Sequence, residues 1–232
     1  MTIRNGLAGA ARRTILPTLA TKLWFGAFLI MSIADIAAEF AGAKTLTRIL
    51  IFFPMPLLFG YVLARVRPAG ALVRWLLAAI VFSWLGDAFG QQVIVKIAFF
   101  AVAQICYLIA FLPYWRNSVA RRRPQFLILY AIATVAMIVF LVPYAGTVAI
   151  PVIGYALLVG TMAVLATGLG RLGVIGGLLF FVSDTILALM LFVPSMNFPT
   201  QGAWVMITYL GAQAVLAIAV LARVPAEAYR AG

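Results

Sequence analysis

Long apolar runs, separated by short groups of proline, glycine and charge, fill this chain from about residue 22 to residue 222. A helix needs about 20 mostly apolar residues to cross the hydrocarbon core of a bilayer. Runs of that length lie near 22–42, 47–65, 71–89, 93–112, 125–142, 147–167, 173–193 and 203–222. They predict eight spanning helices. Pro68, Pro113, Pro124, Pro143, Gly146, Gly170, Pro194, Pro199 and Gly202 are expected in the connections, and Pro54 and Pro56 interrupt the second run. The expected fold is therefore an all-α polytopic membrane helix bundle. It divides into a basic N-terminal segment (1–21), an eight-helix transmembrane domain (22–222) and a short tail (223–232).

Composition supports this picture. Apolar residues make up 66% of the chain and charged residues only 9%, too few to cover a soluble domain of 232 residues. Charge then gives the spans a direction. All of the 17 basic residues except Lys44, Arg48 and Lys96 fall on one side of an eight-span bundle whose N-terminus is cytoplasmic. That bias is the one the positive-inside rule requires, so both termini are expected in the cytoplasm, in the inner (plasma) membrane of a bacterium. The net charge of +12 is thus a topology signal. Arg121, Arg122 and Arg123 read as an anchor touching anionic lipid, and no nucleic-acid partner is expected. No small-residue cleavage site follows the first apolar run, so the first helix is expected to be retained.

Absences narrow the chemistry. Without histidine, Ser-His and Cys-His catalysis is excluded and most zinc sites are disfavoured. Cys106 is the single cysteine, so no intrachain disulfide forms. Neither a metal nor a cofactor is expected. What remains is carboxylate chemistry. Of five acidic residues, Asp35, Glu39, Asp87 and Asp184 fall inside spans, and Glu227 lies in the solvated tail. A carboxylate near mid-membrane costs roughly 2.5–3.5 kcal/mol to insert, so it marks a functional site by default; the alternative is a polar contact between helices. Asp87 and Asp184 are the main catalytic candidates. Asp35 and Glu39, four apart on one helix face, are possible additional acids. Gln104, Tyr107, Tyr155, Ser183, Tyr209 and Gln213 are polar residues in apolar surroundings and mark inward faces. Asp35, Glu39, Asp87, Tyr155 and Tyr209 fall in the outer half, with Lys44 just beyond them and Asp184 near the middle, and these residues are expected to line one outward-opening cavity.

Five stretches resemble the YhhN-like lysoplasmalogenases, small eight-span membrane proteins. They are Lys44-Thr45-Leu46 entering the second span, Leu85-Gly86-Asp87 ending the third, and Phe99 to Phe111 in the fourth. The others are Gly177 to Asp184 with Leu187-Ala188 in the seventh, and Tyr209-Leu210-Gly211-Ala212-Gln213 in the last. Gln104 stands where the family usually has histidine; it can hydrogen-bond but does not exchange a proton near neutral pH. The resemblance implies hydrolysis of the vinyl ether of a lysoplasmalogen, a lysophospholipid, to a fatty aldehyde and a glycerophospho-alcohol. Protonation of the β-carbon gives an oxocarbenium-like cation that water captures, so the site needs an acid, a negative charge and a positioned water. Two carboxylates in different environments can divide those roles, as in glycosidases. Asp184 is expected to be the acid and Asp87 the ionised partner. Tyr155, Tyr209, Gln104 and Gln213 would hold water and glycerol hydroxyls, and Lys44 the phosphate. The competing readings are a small-molecule or proton-coupled transporter and a non-catalytic membrane scaffold. The residues set neither the lipid nor the oligomeric state.

Overall fold

A computed structural model describes residues 18–68 and 70–229 of the chain. Residues 1–17, with Arg4, Arg12 and Arg13, lie outside the described residues, as do Arg230 and the side chain of Glu227. The described helices are α1 (Leu19–Phe40), α2 (Lys44–Leu50), α3 (Pro54–Arg65), α4 (Ala71–Phe89), α5 (Val93–Phe111), α6 (Val119–Arg122), α7 (Pro124–Ala145), α8 (Ala149–Ala166), α9 (Arg171–Phe192) and α10 (Gln201–Leu221). Short 3-10 turns join several of them.

Seven helical segments among the described residues are long and apolar enough to cross a membrane. One of them, Pro124–Leu169, has 46 residues, about twice what a bilayer needs. It doubles back at Gly146, whose φ of 52° is open mainly to glycine. The two halves, α7 and α8, pack against each other, which makes eight crossings. The chain thus folds as the expected all-helical membrane bundle.

Pro124, Pro143 and Gly202 lie in helices rather than in connections, whereas Pro54 interrupts the second span as expected. Pro143 is not in a connection but inside the last turn of α7. So near the helix end it removes one hydrogen bond, and Gly146 makes the turn. Gly202 lies in the first turn of α10, where a side chain would collide with the carboxylate of Glu39. In the second span, Pro54 starts α3, because a residue without an N–H fits the first turn of a helix. The span is therefore broken at residues 51–53. Trp84 Nε1 donates to the Phe52 carbonyl at 3.0 Å there, satisfying a backbone group that lipid would leave bare.

Connections that follow an even number of crossings meet at one end of the bundle. Arg67 N donates to the Ala228 carbonyl at 2.8 Å, and Val119 N donates to Thr167 Oγ1 at 2.9 Å. Arg223 Nε donates to the Leu169 carbonyl at 3.3 Å, and its guanidinium lies over the Tyr114 ring. This end carries Arg65, Arg67, Arg116, Arg121, Arg122, Arg123, Arg171 and Arg223. Lys44, Arg48 and Lys96 lie at the far end. The segregation of charge read from the sequence is thus a geometric property of the bundle.

Helix packing rests on small residues, since lipid tails are as apolar as leucine and give no hydrophobic drive between helices. A Cβ on Gly176 of α9 would sit 2.7 Å from Leu216 Cγ of α10, and one on Gly177 would sit 3.1 Å from Ala163 Cα of α8. Helix α9 is therefore wedged between its two neighbours. That wedge fixes the rotation of α9 and turns Ser183 and Asp184 inward, where both are buried. Large apolar side chains such as Ile128, Ile132, Val139 and Ile150 are exposed on the outer surface, where lipid replaces water.

Candidate active site

The two motif aspartates reach the bundle interior from α4 and α9, and each has a tyrosine of its own. Tyr209 OH, on α10, donates to Asp87 Oδ2 at 2.7 Å. Tyr155 OH, on α8, donates to Asp184 Oδ2 at 2.6 Å. Both are short O–H···O hydrogen bonds. The carboxylates are also electrostatic neighbours of each other, and Tyr155 feels both. Asp184 is the more deeply buried; Asp87 is partly accessible.

Gly86 explains how Asp87 is placed. A Cβ at Gly86 would come within 2.6 Å of Phe100 Cδ2, so only glycine lets the Phe100 ring lie against α4. Phe100 in turn packs edge-on to Tyr209 with centroids 5.8 Å apart, and Tyr209 packs edge-on to Phe180 at 5.8 Å. Those contacts aim the tyrosine that holds Asp87. Lys96 Nζ donates to the Gly86 carbonyl at 3.2 Å and acts as a positive neighbour of Asp87.

A cleft opens beside this pair, between α5, α7, α8 and α9. Asp184, Tyr155, Lys96 and Phe100 line it, with apolar residues such as Met137 and Leu141 forming the rest. Asp87 is not on its wall; it lies next in sequence to the carbonyl that Lys96 holds. The cleft lies in the half of the bundle away from the basic connections, near the ends of α7 and α9 and the start of α5 and α8.

The other expected residues divide into three groups. Gln104 is fully buried with its amide next to the Tyr155 hydroxyl, and neither end of the amide is in hydrogen-bond geometry with a protein group. Such an orphan group is costly unless water or a ligand satisfies it. Tyr107, Gln213 and Ser83 form a hydrogen-bonded chain instead, whose Ser83 end lies beside Tyr209. Tyr107 OH donates to Gln213 Oε1, and Gln213 Nε2 donates to Ser83 Oγ at 3.0 Å. All three are fully buried and tie α5, α10 and α4 together. Ser183 Oγ donates to the Val205 carbonyl at 3.2 Å, which ties α9 to α10. Lys44 is exposed at the start of α2 and is not on the cleft wall.

Asp35 is 1% exposed, and its Oδ2 and the nearby Ser32 Oγ have no hydrogen-bond partner. Asp35 is an electrostatic neighbour of both Glu39 and Asp87, so α1 adds a polar strip to the back of the site. Lys96 is the residue that reading the sequence for chemistry passed over. Its signal was present: a lone cation in the first turn of a span, on the side where positive charge is scarce.

The described residues contain no cluster of three or more metal-binding side chains. Paired carboxylates, each oriented by a phenol, beside a cation and an apolar cleft, can transfer a proton and stabilise a cation. No curated protein and no solved structure matches the chain. A family model described as the YhhN family matches residues 46–220, from the second span almost to the end of the last, leaving out α1 and the tail. By that match, the chain belongs to the YhhN family of membrane-helical proteins.

Proposed function

We propose that this protein is a membrane hydrolase that cleaves the vinyl ether of a lyso-ether phospholipid, giving a fatty aldehyde and a glycerophospho-alcohol. The observation that carries the reading is the pair Asp87 and Asp184, each held by its own tyrosine, beside an apolar cleft that Asp184 and the cation Lys96 line. In the proposed reaction Asp184 gives a proton to the β-carbon of the vinyl ether. The double-bond electrons form the new C–H bond, and the carbon bearing oxygen becomes an oxocarbenium-like cation. Asp87, beside Lys96, stays ionised, stabilises that cation and orients a water. The water adds its oxygen to the cationic carbon and loses a proton. The resulting hemiacetal collapses to the aldehyde and the glycerol hydroxyl, and the protons return the carboxyls to their starting state. No covalent enzyme intermediate is required.

Lys96, on the cleft wall, is better placed than Lys44 to meet the substrate phosphate. The orphan amide of Gln104 offers a donor and an acceptor to the water or a glycerol hydroxyl. The charge segregation supports a plasma-membrane orientation with the basic connections and both termini in the cytoplasm. Both Asp87→Asn and Asp184→Asn are expected to abolish aldehyde release while the protein still inserts and folds. Purified protein incubated with a panel of lyso-lipids, with released aldehyde scored by mass spectrometry, checks this. Full activity of either variant would refute the assignment. The broken second span favours one further reading, a carrier, since interrupted helices line transport sites. Substrate flux into proteoliposomes without conversion is the outcome that reading requires.

A further inference from the structure

Helix α7 changes character halfway along. In its second half it buries Thr134, Met137, Leu141 and Ala145, the three-to-four-residue stripe of a helix laid against its neighbours. Over residues 124–133 it buries none. Phe126, Tyr130 and Ala133 continue the stripe of Met137 and Leu141 toward the basic end, yet Phe126 and Ala133 are exposed and Tyr130 is half-buried. The two helices α7 and α9 form a wedge. In the outer half they meet: Thr185 Oγ1 of α9 lies 3.3 Å from Met137 Sδ, and Leu141 is buried beside it. In the other half they part, and a crevice opens between Phe126, Tyr130 and Ala133 on α7 and Val174, Leu178 and Phe181 on α9. Arg123 stands at its basic end. The contact at Met137 and Leu141 separates this crevice from the cleft at Asp184.

We propose that this crevice binds one anionic phospholipid from the leaflet on the basic side, with its phosphate on Arg123 and one acyl chain along Phe126, Tyr130 and Ala133. Length is the first argument. At about 1.5 Å per residue, the helix from Arg123 to Ala133 runs about 15 Å. That is half of the ~30 Å hydrocarbon core, the depth of one leaflet, and Met137 closes the crevice there. Charge is the second. Arg121 and Arg122 flank Arg123, and Arg122 is held by Asn117 Oδ1 at 2.7 Å. No carboxylate among the described residues pairs with Arg123, so its guanidinium fork is open to a phosphate. The same charge disfavours a second copy of this chain as the occupant, because the copy would bring its own arginine run to the same end. The lipid would replace the helix contacts that the first half of α7 lacks. The site is independent of the hydrolase reading and lies in the other half of the bundle from Lys96.

The test titrates the purified full chain in detergent with phosphatidylglycerol or phosphatidylcholine of matched chains, followed by native mass spectrometry and thermal unfolding. One phosphatidylglycerol should be retained, about tenfold more tightly than phosphatidylcholine, and should raise the unfolding midpoint. Arg123→Gln, at an exposed position, should remove that preference. Arg67→Gln, exposed at the same end but off the crevice, should keep it. Free glycerol phosphate should not compete, because it lacks the chain. Phosphatidylglycerol with a diazirine in its acyl chain should cross-link to Tyr130, Leu178 and Phe181. Equal loss of preference in Arg123→Gln and Arg67→Gln would reduce the effect to overall charge and overturn the site. So would adducts spread over Ile128, Ile132 and Val139, on the opposite face of α7. A dimer that persists in excess phosphatidylglycerol, with cross-links between copies at the crevice, would give the crevice to a second copy and likewise overturn the proposal.

Discussion

Three tyrosines hold buried polar partners in this bundle, and their phenylalanine variants separate catalysis from architecture. Tyr209 and Tyr155 each donate to a carboxylate, Asp87 and Asp184. Tyr107 donates to Gln213 Oε1 within a chain that does not line the cleft and reaches Tyr209 only through Ser83. Tyr→Phe keeps the ring, so the edge-on packing of Tyr209 on Phe100 and Phe180, and of Tyr107 on Phe180, survives. Only the hydroxyl is lost. A hydrogen bond to a charged group contributes about 1.5–3 kcal/mol. At about 1.4 kcal/mol per tenfold, Tyr209→Phe should lower kcat/KM for aldehyde release by about ten- to 150-fold. Tyr155→Phe, whose partner Asp184 is the protonated acid of the proposed reaction, should lose less, about two- to tenfold, since a hydrogen bond between neutral groups contributes about 0.5–1.5 kcal/mol. Tyr107→Phe instead leaves a buried amide oxygen without a donor, which costs about 1–3 kcal/mol of stability. Its thermal midpoint in detergent should drop while activity per folded molecule stays near wild type. The assay is therefore crossed: kinetics and thermal unfolding on all three variants. If Tyr107→Phe loses more activity than both of the others, the division between site and scaffold drawn here is wrong.

Gly86→Ala puts a Cβ about where the Phe100 ring lies, and overpacking of this kind costs typically about 1–3 kcal/mol. It should lower the unfolding midpoint and, by displacing Phe100 from Tyr209, reduce activity as well; an unchanged midpoint would show that the ring moves freely. Lys96→Met should lower kcat/KM by about tenfold or more for a phosphate-bearing substrate, the loss of one charged hydrogen-bond partner, and much less for a phosphate-free alkenyl glycerol. Equal losses on both substrates would assign Lys96 to Asp87 rather than to the phosphate.

The amino-acid sequence by itself determined the spans, because the bilayer imposes a length and a polarity on every crossing helix. The runs read from it match α1, α4, α5 and α7 to α10 within a few residues, and the second run matches α2 and α3 together. It also segregated the charges, since the positive-inside bias is a property of connections and needs no packing to be seen. The rare carboxylates were legible for the same reason: in an apolar chain each one stands out.

Tertiary structure decided the pairings. Nothing in the spacing says that Tyr209 serves Asp87, 122 residues away, and Tyr155 serves Asp184, or that Tyr107 and Gln213 satisfy one another. Those outcomes depend on helix rotation, which is set by small residues such as Gly86, Gly176 and Gly177 and by the side chains that fill the space above them. Lys96 counted in the sequence only as a charge on the minor side, and it became a wall of the cleft once α5 was laid against α4. The apolar wall of the cleft was invisible for a deeper reason: an apolar side chain facing a cavity reads the same in a sequence as one facing lipid or core.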